Sequence, residues 1–576
     1  MHSRLSNRQF LIVGAIIVGL WAGLTAVILK ISVHYFQVAI KSAGQTYHWI
    51  YFVAPTVGIL ATYLFVRFVL KGDLSKGTSH VLLAIARKSS SLPTKETYSH
   101  VVTSALTVGM GGSAGLESPI VQTGSAIGSV FASLFPVSFK DRTLLLACGA
   151  AAGIATAFNA PIAGVLFALE VLLMDVTISA FIPLLIAGAT GALCSNILLS
   201  NEIIFSFKNV SDFNYRNVPY YVLLGCFTGL VSAFYIKAFL KTEALMKGVL
   251  VQPLVRLFIG GVLLGGLIYL FPALFGEGYS SVRALSAFEP SKLFSGSPLL
   301  PYLANEKWML GMAVLGVGIL KVFAVSLTLN SGGNGGSFAP SLLVGACIGF
   351  AFAFMFNLTG LTKLPIINFC LVAMAGTLTG IFHAPLTAIF LIAEITGGYD
   401  LIIPLMIVSA ISTGVSRYFN SDSLDGAKLK ESSHTVEFNK DSHVLSELSL
   451  SGFIERNFTA VPTDATLKTV VDAVARSKRN IFPMVDQEGM LTGIIVLEDI
   501  REIMFDVTQY DTVTVSQIAE IPSVTVEVNE DMASIMEKFD KSGLWNIPVV
   551  DEGKYIGFIS KSSILSNYRN KLRVDY

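Results

Sequence analysis

Two glycine-rich stretches in separate halves of the chain match position for position, and this repeat narrows the fold more than any other feature. Gly111-Gly112-Ser113-Ala114-Gly115-Leu116-Glu117-Ser118-Pro119 is followed by Gly124 and by Ile127-Gly128. Gly332-Gly333-Asn334-Gly335-Gly336-Ser337-Phe338-Ala339-Pro340 is followed by Gly345 and by Ile348-Gly349. Downstream of each, Phe158-Asn159-Ala160-Pro161 runs through apolar residues to Glu170, and Phe382-His383-Ala384-Pro385 runs through apolar residues to Glu394. One half therefore repeats the other. The surroundings are apolar: 53% of residues are hydrophobic, 14% are charged and the mean hydropathy is +0.66. A chain of that composition is solvated by lipid over most of its length. Duplicated membrane halves place a binding site at their interface.

From Phe10 to Phe419 apolar runs alternate with short polar breaks, and many runs fall short of the ~20 residues of a full span. Broken and re-entrant helices are expected. The apolar run from Phe10 to Val33 is too long for a signal-peptide core and reads as a retained first membrane helix. Lys and Arg are spread over many breaks, so they do not orient the spans. With a net charge of +1 and no long basic run, nucleic acid is not an expected partner. The five cysteines (Cys148, Cys194, Cys226, Cys347, Cys370) lie in apolar stretches without CxxC spacing and read as small core residues. After Asn420 the composition becomes that of a soluble protein. There Pro483-Met484-Val485-Asp486 with Gly489 and Gly493 is matched by Pro548-Val549-Val550-Asp551 with Gly553 and Gly557. Each copy is flanked by helical stretches, giving two small α/β modules. The expected fold is an all-α polytopic membrane domain over 1–430, a linker over 431–444, and α/β modules over 445–510 and 511–576.

Glycine runs before an apolar helix leave several backbone N–H groups at the helix start pointing at one spot with no side chain in the way. The helix dipole adds about half a positive charge there, so the spot attracts an anion without a fixed lysine. A fixed charge would hold the ion too firmly to let it pass. Glu117 sits at the start of the helix through Ile120, Val121 and Ile127, where its carboxylate competes with an anion for the same N–H groups. It is the candidate gate, released by protonation. Glu170 and Glu394 occupy equivalent repeat positions, which favours pairing with backbone amides at a helix junction.

At these residues the chain resembles the CLC family of chloride channels and proton-coupled chloride exchangers. The resemblance is carried by Gly115-Leu116-Glu117-Ser118-Pro119 against the family's GREGP, by Gly336-Ser337-Phe338-Ala339-Pro340 against GxFAP, by the Phe158 and Phe382 segments, and by a tail that looks like a pair of CBS domains. It implies a homodimer in a plasma or inner membrane, with both termini cytosolic. It also implies that Glu117 is the gating glutamate, that Gly115 and Leu116 with the amides of Ser337 and Phe338 line the anion site, and that an adenosine nucleotide is a candidate ligand of the tail. No cofactor is required. Three positions depart from the family. Its GSGIP loop aligns with Ser75-Lys76-Gly77-Thr78-Ser79, which puts Lys76 at the place of the anion-selecting serine. The pore tyrosine aligns with Asp425, with Tyr418 as a substitute. The inner proton glutamate of the exchangers aligns with Val171, directly after Glu170. Because Val171 carries no proton, a gated chloride channel is the expected function, with a proton/chloride antiporter of the same family as the alternative. In the tail, Asp499 and Ser560 are the nucleotide candidates, although neither module has both the acid and the hydroxyl that would hold a ribose. An intramembrane metalloprotease would need an HExxH helix, which the sequence does not contain, so neither an enzyme nor a metal site is expected. A cation transporter would need clustered acids that the apolar segments do not supply.

Overall fold

A computed structural model of the chain describes residues 6–72, 74–86, 89–173, 178–199, 211–249, 252–298, 307–360, 362–432 and 450–565. It divides into two compact units, Met1–Thr435 and Val436–Tyr576. Most of the expected linker, the first residues of the first module (445–449) and the end of the second (566–576) lie outside the described residues.

The membrane unit is a repeat of eight helices. The first set is α1 (Asn7–Thr46), α2 (Ile50–Phe68), α3 (Thr78–Ala86), α4 (Glu96–Gly109), α5 (Glu117–Ser133), α6 (Phe139–Phe158), α7 (Pro161–Phe167) and α8 (Ile178–Leu198). The second is α9 (Val218–Val249), α10 (Pro253–Leu270), α11 (Tyr279–Ser286), α12 (Lys307–Asn330), α13 (Phe338–Leu358), α14 (Ile366–Phe382), α15 (Pro385–Thr396) and α16 (Ile402–Phe419), and α17 (Leu424–Ser432) follows it. The packing repeats as well: α5 lies on α6 as α13 lies on α14, and α1 lies on α8 as α9 lies on α16. Among the described residues nine helices are long and apolar enough to cross a membrane. The short α3, α7, α11 and α15 are the broken pieces expected from the sequence.

Local sequence sets where the helices break. The Phe-Asn-Ala-Pro and Phe-His-Ala-Pro segments end α6 and α14 on left-handed residues, Asn159 at φ 55° and His383 at φ 56°. Pro161 and Pro385 then start α7 and α15, where a missing N–H costs nothing. The glycines after each loop bring helices into backbone contact. A Cβ on Gly128 would sit 2.1 Å from the Leu145 carbonyl oxygen, and one on Gly349 would sit 2.2 Å from that of Phe369. Four of the cysteines are buried as expected. Cys226, on α9, is exposed, which corrects the reading of all five as core residues; an apolar position on a membrane helix can face outward as well as inward.

The second unit holds two three-stranded sheets. The first joins β1 (Val461–Pro462), β2 (Ile481–Val485) and β3 (Leu491–Val496), with α18 (Leu467–Arg476) crossing between the parallel pair. The second repeats this with β4 (Val526–Glu527), β5 (Asn546–Asp551), β6 (Lys554–Ser560) and α19 (Met532–Ser542). Phe482 and Ile495 centre one core, Phe539 and Ile559 the other. The two hairpin turns bond each other, Leu491 N–H to the Gly553 carbonyl at 3.1 Å and Tyr555 N–H to that of Gly489 at 3.0 Å.

Candidate functional site

The two glycine-rich turns meet. Gly115 donates to the Gly336 carbonyl at 2.8 Å and Gly336 donates back to that of Gly115 at 2.8 Å, an antiparallel pair of one residue from each half. Side chains are excluded here, since a Cβ on Gly336 would lie 2.7 Å from Ser118 Cβ. Each turn opens in a left-handed backbone conformation that glycine alone adopts without strain, Gly111 at φ 102° and Gly332 at φ 111°. Each is also pinned by the other half: Ser113 N–H bonds Thr328 Oγ1 at 3.0 Å, and Asn334 N–H bonds Thr107 Oγ1 at 3.0 Å.

Beyond this junction the starts of α3, α5, α13 and α17 line one cavity of about 30 Å³, enough for a water or a stripped halide. Gly77 and Thr78, Glu117 and Ser118, Ser337 and Phe338, and Leu424 and Asp425 contribute one helix start each. Helix starts carry unpaired donors. Among the described residues the amides of Ser337 and Phe338 have no protein acceptor. The carboxylate of Glu117, 2% exposed, reaches across to the other half and accepts from Ala339 N–H at 3.3 Å. On its other oxygen it accepts from the hydroxyl of Tyr279, the first residue of α11. Phe338 packs on Phe158 and Phe382 with ring centroids 5.7 and 5.5 Å away, so the two repeated Phe segments form an apolar wall. The arrangement offers aligned N–H donors beside an apolar Phe wall, with the Glu117 side chain on one of them; Lys428 of α17 also lines the cavity, next to Asp425, which corrects the expectation of a spot without a lysine.

The other sequence-derived positions fall in different places. Thr78 Oγ1 lies 3.2 Å from Ser118 Oγ, and Asp425 lines the cavity at the start of α17. Leu116 is buried in the core beside the junction. Ser75 is half-buried and is not a cavity residue; Lys76 does not face the cavity either, because its Nζ donates to the carbonyls of Gly332 and Gly333 at 2.8 and 2.9 Å. Tyr418 is 86% exposed and meets Phe419 edge-on, and it does not line the cavity. Nearness to Asp425 in sequence does not reveal which face of α16 Tyr418 occupies. Glu170 and Glu394 cap helices across the repeat. Glu170, on a π-helical turn at the end of α7, accepts from the N–H groups of Leu386 and Thr387 at 2.9 and 2.7 Å, and Glu394 accepts from those of Ile162 and Ala163 at 3.0 and 2.8 Å. Val171 packs half-buried against the core. In the second unit Asp499 is exposed, whereas Ser560 donates to Glu455 Oε1 at 3.0 Å.

Sequence reasoning missed Tyr279, Thr107 and Thr328. A signal was present for each. Gly77-Thr78 and Gly278-Tyr279 are both a left-handed glycine opening a short helix, and the threonines stand at equal distances before their glycine turns.

Residues 57–417 match the voltage gated chloride channel family, well over half of the chain. The chain belongs to that family. Residues 450–506 and 515–570 each match the CBS domain, so the two α/β modules are a CBS pair. A ClcB-like chloride channel protein of Ralstonia nicotianae is 30% identical over 378 residues, covering 64% of this chain and 83% of the relative. The fold is shared with a slow cyanobacterial Cl−/H+ antiporter, at a TM-score of 0.62 and 22% identity over 74% of this chain and 98% of that one. It is also shared with a eukaryotic CLC transporter, at a TM-score of 0.61 and 18% identity over 96% and 97% of the two chains. This family member is thus a multi-pass membrane protein with a C-terminal CBS pair.

Proposed function

We propose that this protein passes chloride across its membrane as a gated channel, with Glu117 as the gate. One observation carries the reading: an anionic side chain rests on a helix-start amide beside the unpaired amides of Ser337 and Phe338. A carboxylate held there marks a place that suits a permeating anion, and must leave before one can enter. Protonation neutralises Glu117 and frees the site. Gly115 and Leu116 hold the turn, and Gly77, Thr78 and Asp425 line the approach. The protein acts as a homodimer stabilised by a cytosolic CBS pair, with binding of an adenosine nucleotide near Asp499 and Ser560 as the alternative role of that pair.

A second reading is proton/chloride exchange. It is favoured by the solved relatives, one described as a Cl−/H+ antiporter and another, 24% identical at a TM-score of 0.59 over 72% of this chain and 98% of that one, as a fluoride/proton antiporter. Val171, at the place of the exchangers' inner glutamate, carries no proton and weighs toward the channel. Current from purified protein in planar bilayers under paired chloride and pH gradients separates the two. The reversal potential is expected to follow the chloride gradient alone. A reversal potential that moves with the pH gradient at fixed chloride assigns exchange instead, and replacing chloride by gluconate should abolish the current in either case.

A further inference from the structure

A second cavity, of about 140 Å³, opens where α2 ends and α10 begins, and none of its lining residues lines the central one. Tyr63, Lys76, Arg256 and Ser331 supply its polar groups, and among the described residues no lining residue is acidic. Lys76 and Arg256 lie close enough to oppose one another electrostatically. Among the described residues neither cation pairs with a carboxylate, and the guanidinium of Arg256 makes no hydrogen bond. Two of the three ammonium hydrogens of Lys76 are spent on the Gly332 and Gly333 carbonyls, which leaves one for the cavity. Ser331 is 2% exposed and its hydroxyl has no partner. Arg67 adds a further positive charge behind Tyr63, donating to its hydroxyl at 3.0 Å. Pro253 starts an 18-residue helix at this wall, so the positive end of α10 points the same way.

Like charges converging on a cavity with a buried, idle hydroxyl describe a site for an anion. The chemistry selects among anions. A guanidinium is a planar fork that suits two oxygens of one oxyanion, and the volume exceeds what a bare halide fills. Lys76 and Ser331 stand as single donors for the remaining oxygens.

We propose that this cavity is a phosphate site, with Arg256, Lys76 and Ser331 as its ligands. The phosphate comes from inorganic phosphate or from the headgroup of an anionic lipid. The site is independent of anion passage past Glu117.

The test uses the full chain in lipid nanodiscs. In one arm, made with phosphatidylcholine alone, inorganic phosphate is titrated by calorimetry. In the other, phosphatidic acid is added to the nanodisc and its retention is read by native mass spectrometry. Saturable binding in either arm is expected, weakened at least about tenfold by Arg256→Gln and less by Arg256→Lys and Ser331→Ala. Binding in the first arm assigns free phosphate, and binding in the second alone assigns the headgroup. Arg256→Gln should leave chloride flux unchanged, and Glu117→Gln should leave phosphate binding unchanged, so this site and the gate can fail separately. Absence of binding in both arms, or equal binding by wild type, Arg256→Gln and Arg256→Lys, overturns the site. Loss of chloride flux in Arg256→Gln with phosphate binding intact also overturns it.

Discussion

Glu117→Gln is expected to raise chloride flux in liposomes on the order of tenfold to a hundredfold at neutral pH and to remove its dependence on pH. In the structure the Glu117 carboxylate takes the Ala339 amide and the Tyr279 hydroxyl. Hydrogen bonds to a charged acceptor each contribute about 1.5–3 kcal/mol, which sets that range. A glutamine has no charge to match the helix start and no proton to gain or lose, so the site opens and stays insensitive to acid. In the wild type, flux should rise as pH falls, because the protonated carboxyl competes weakly for the amides. Tyr279→Phe removes one of the two holds and should raise flux by a smaller factor while keeping the pH dependence, since the titrating group remains. Unchanged pH dependence in Glu117→Gln would remove Glu117 from the gate.

Gly149→Ala should cost more stability than most single-methyl changes. The carbonyl oxygen of Gly124 would lie 1.9 Å from the new Cβ, and a Cβ on Gly124 would lie 2.3 Å from the Gly149 carbonyl oxygen. The two helices touch backbone to backbone, as membrane helices do when small residues face each other. Neither carbonyl can move aside as a flexible side chain would, so α5 and α6 must separate. Overpacking of this kind costs about 3 kcal/mol, and the loss should appear as a lowered thermal midpoint in detergent. Because α5 carries Glu117 at its start, the surviving protein should also gate poorly. Gly414→Ala in α16 is the control: nothing lies within 4 Å of its Cβ, and it should be neutral or slightly stabilising. Equal midpoints for Gly149→Ala and wild type would contradict the close packing.

Much of the site was legible because it is repeated. The register of the two glycine turns, with Gly124 and Gly128 answered by Gly345 and Gly349, anticipated the junction of the halves; the close helix packing at those glycines was not read from it. The Phe158 and Phe382 segments lay in the same register, and they form the wall against Phe338. What sequence could not reach was side-chain direction. Lys76 stands next to cavity-lining Gly77, yet its long side chain turns to carbonyls of the second turn, a choice that spacing does not reveal. Tyr279 begins an eight-residue helix, too short for periodicity to announce it, and its contact with Glu117 crosses the whole repeat. Thr107 and Thr328 look like ordinary helix positions until the partner loop is in place, because each bonds an amide of the other half. Tyr418 stands close to Asp425 in sequence, and its outward face shows only with α16 packed.

Anomalous scattering from bromide-soaked crystals of wild type and Glu117→Gln tests the anion site itself. Bromide is expected within hydrogen-bond reach of the Ser337 and Phe338 amides in Glu117→Gln, at higher occupancy than in wild type, where the carboxylate excludes it. Bromide absent from that cavity in both proteins, while both still carry anions in liposomes, would place the pathway elsewhere.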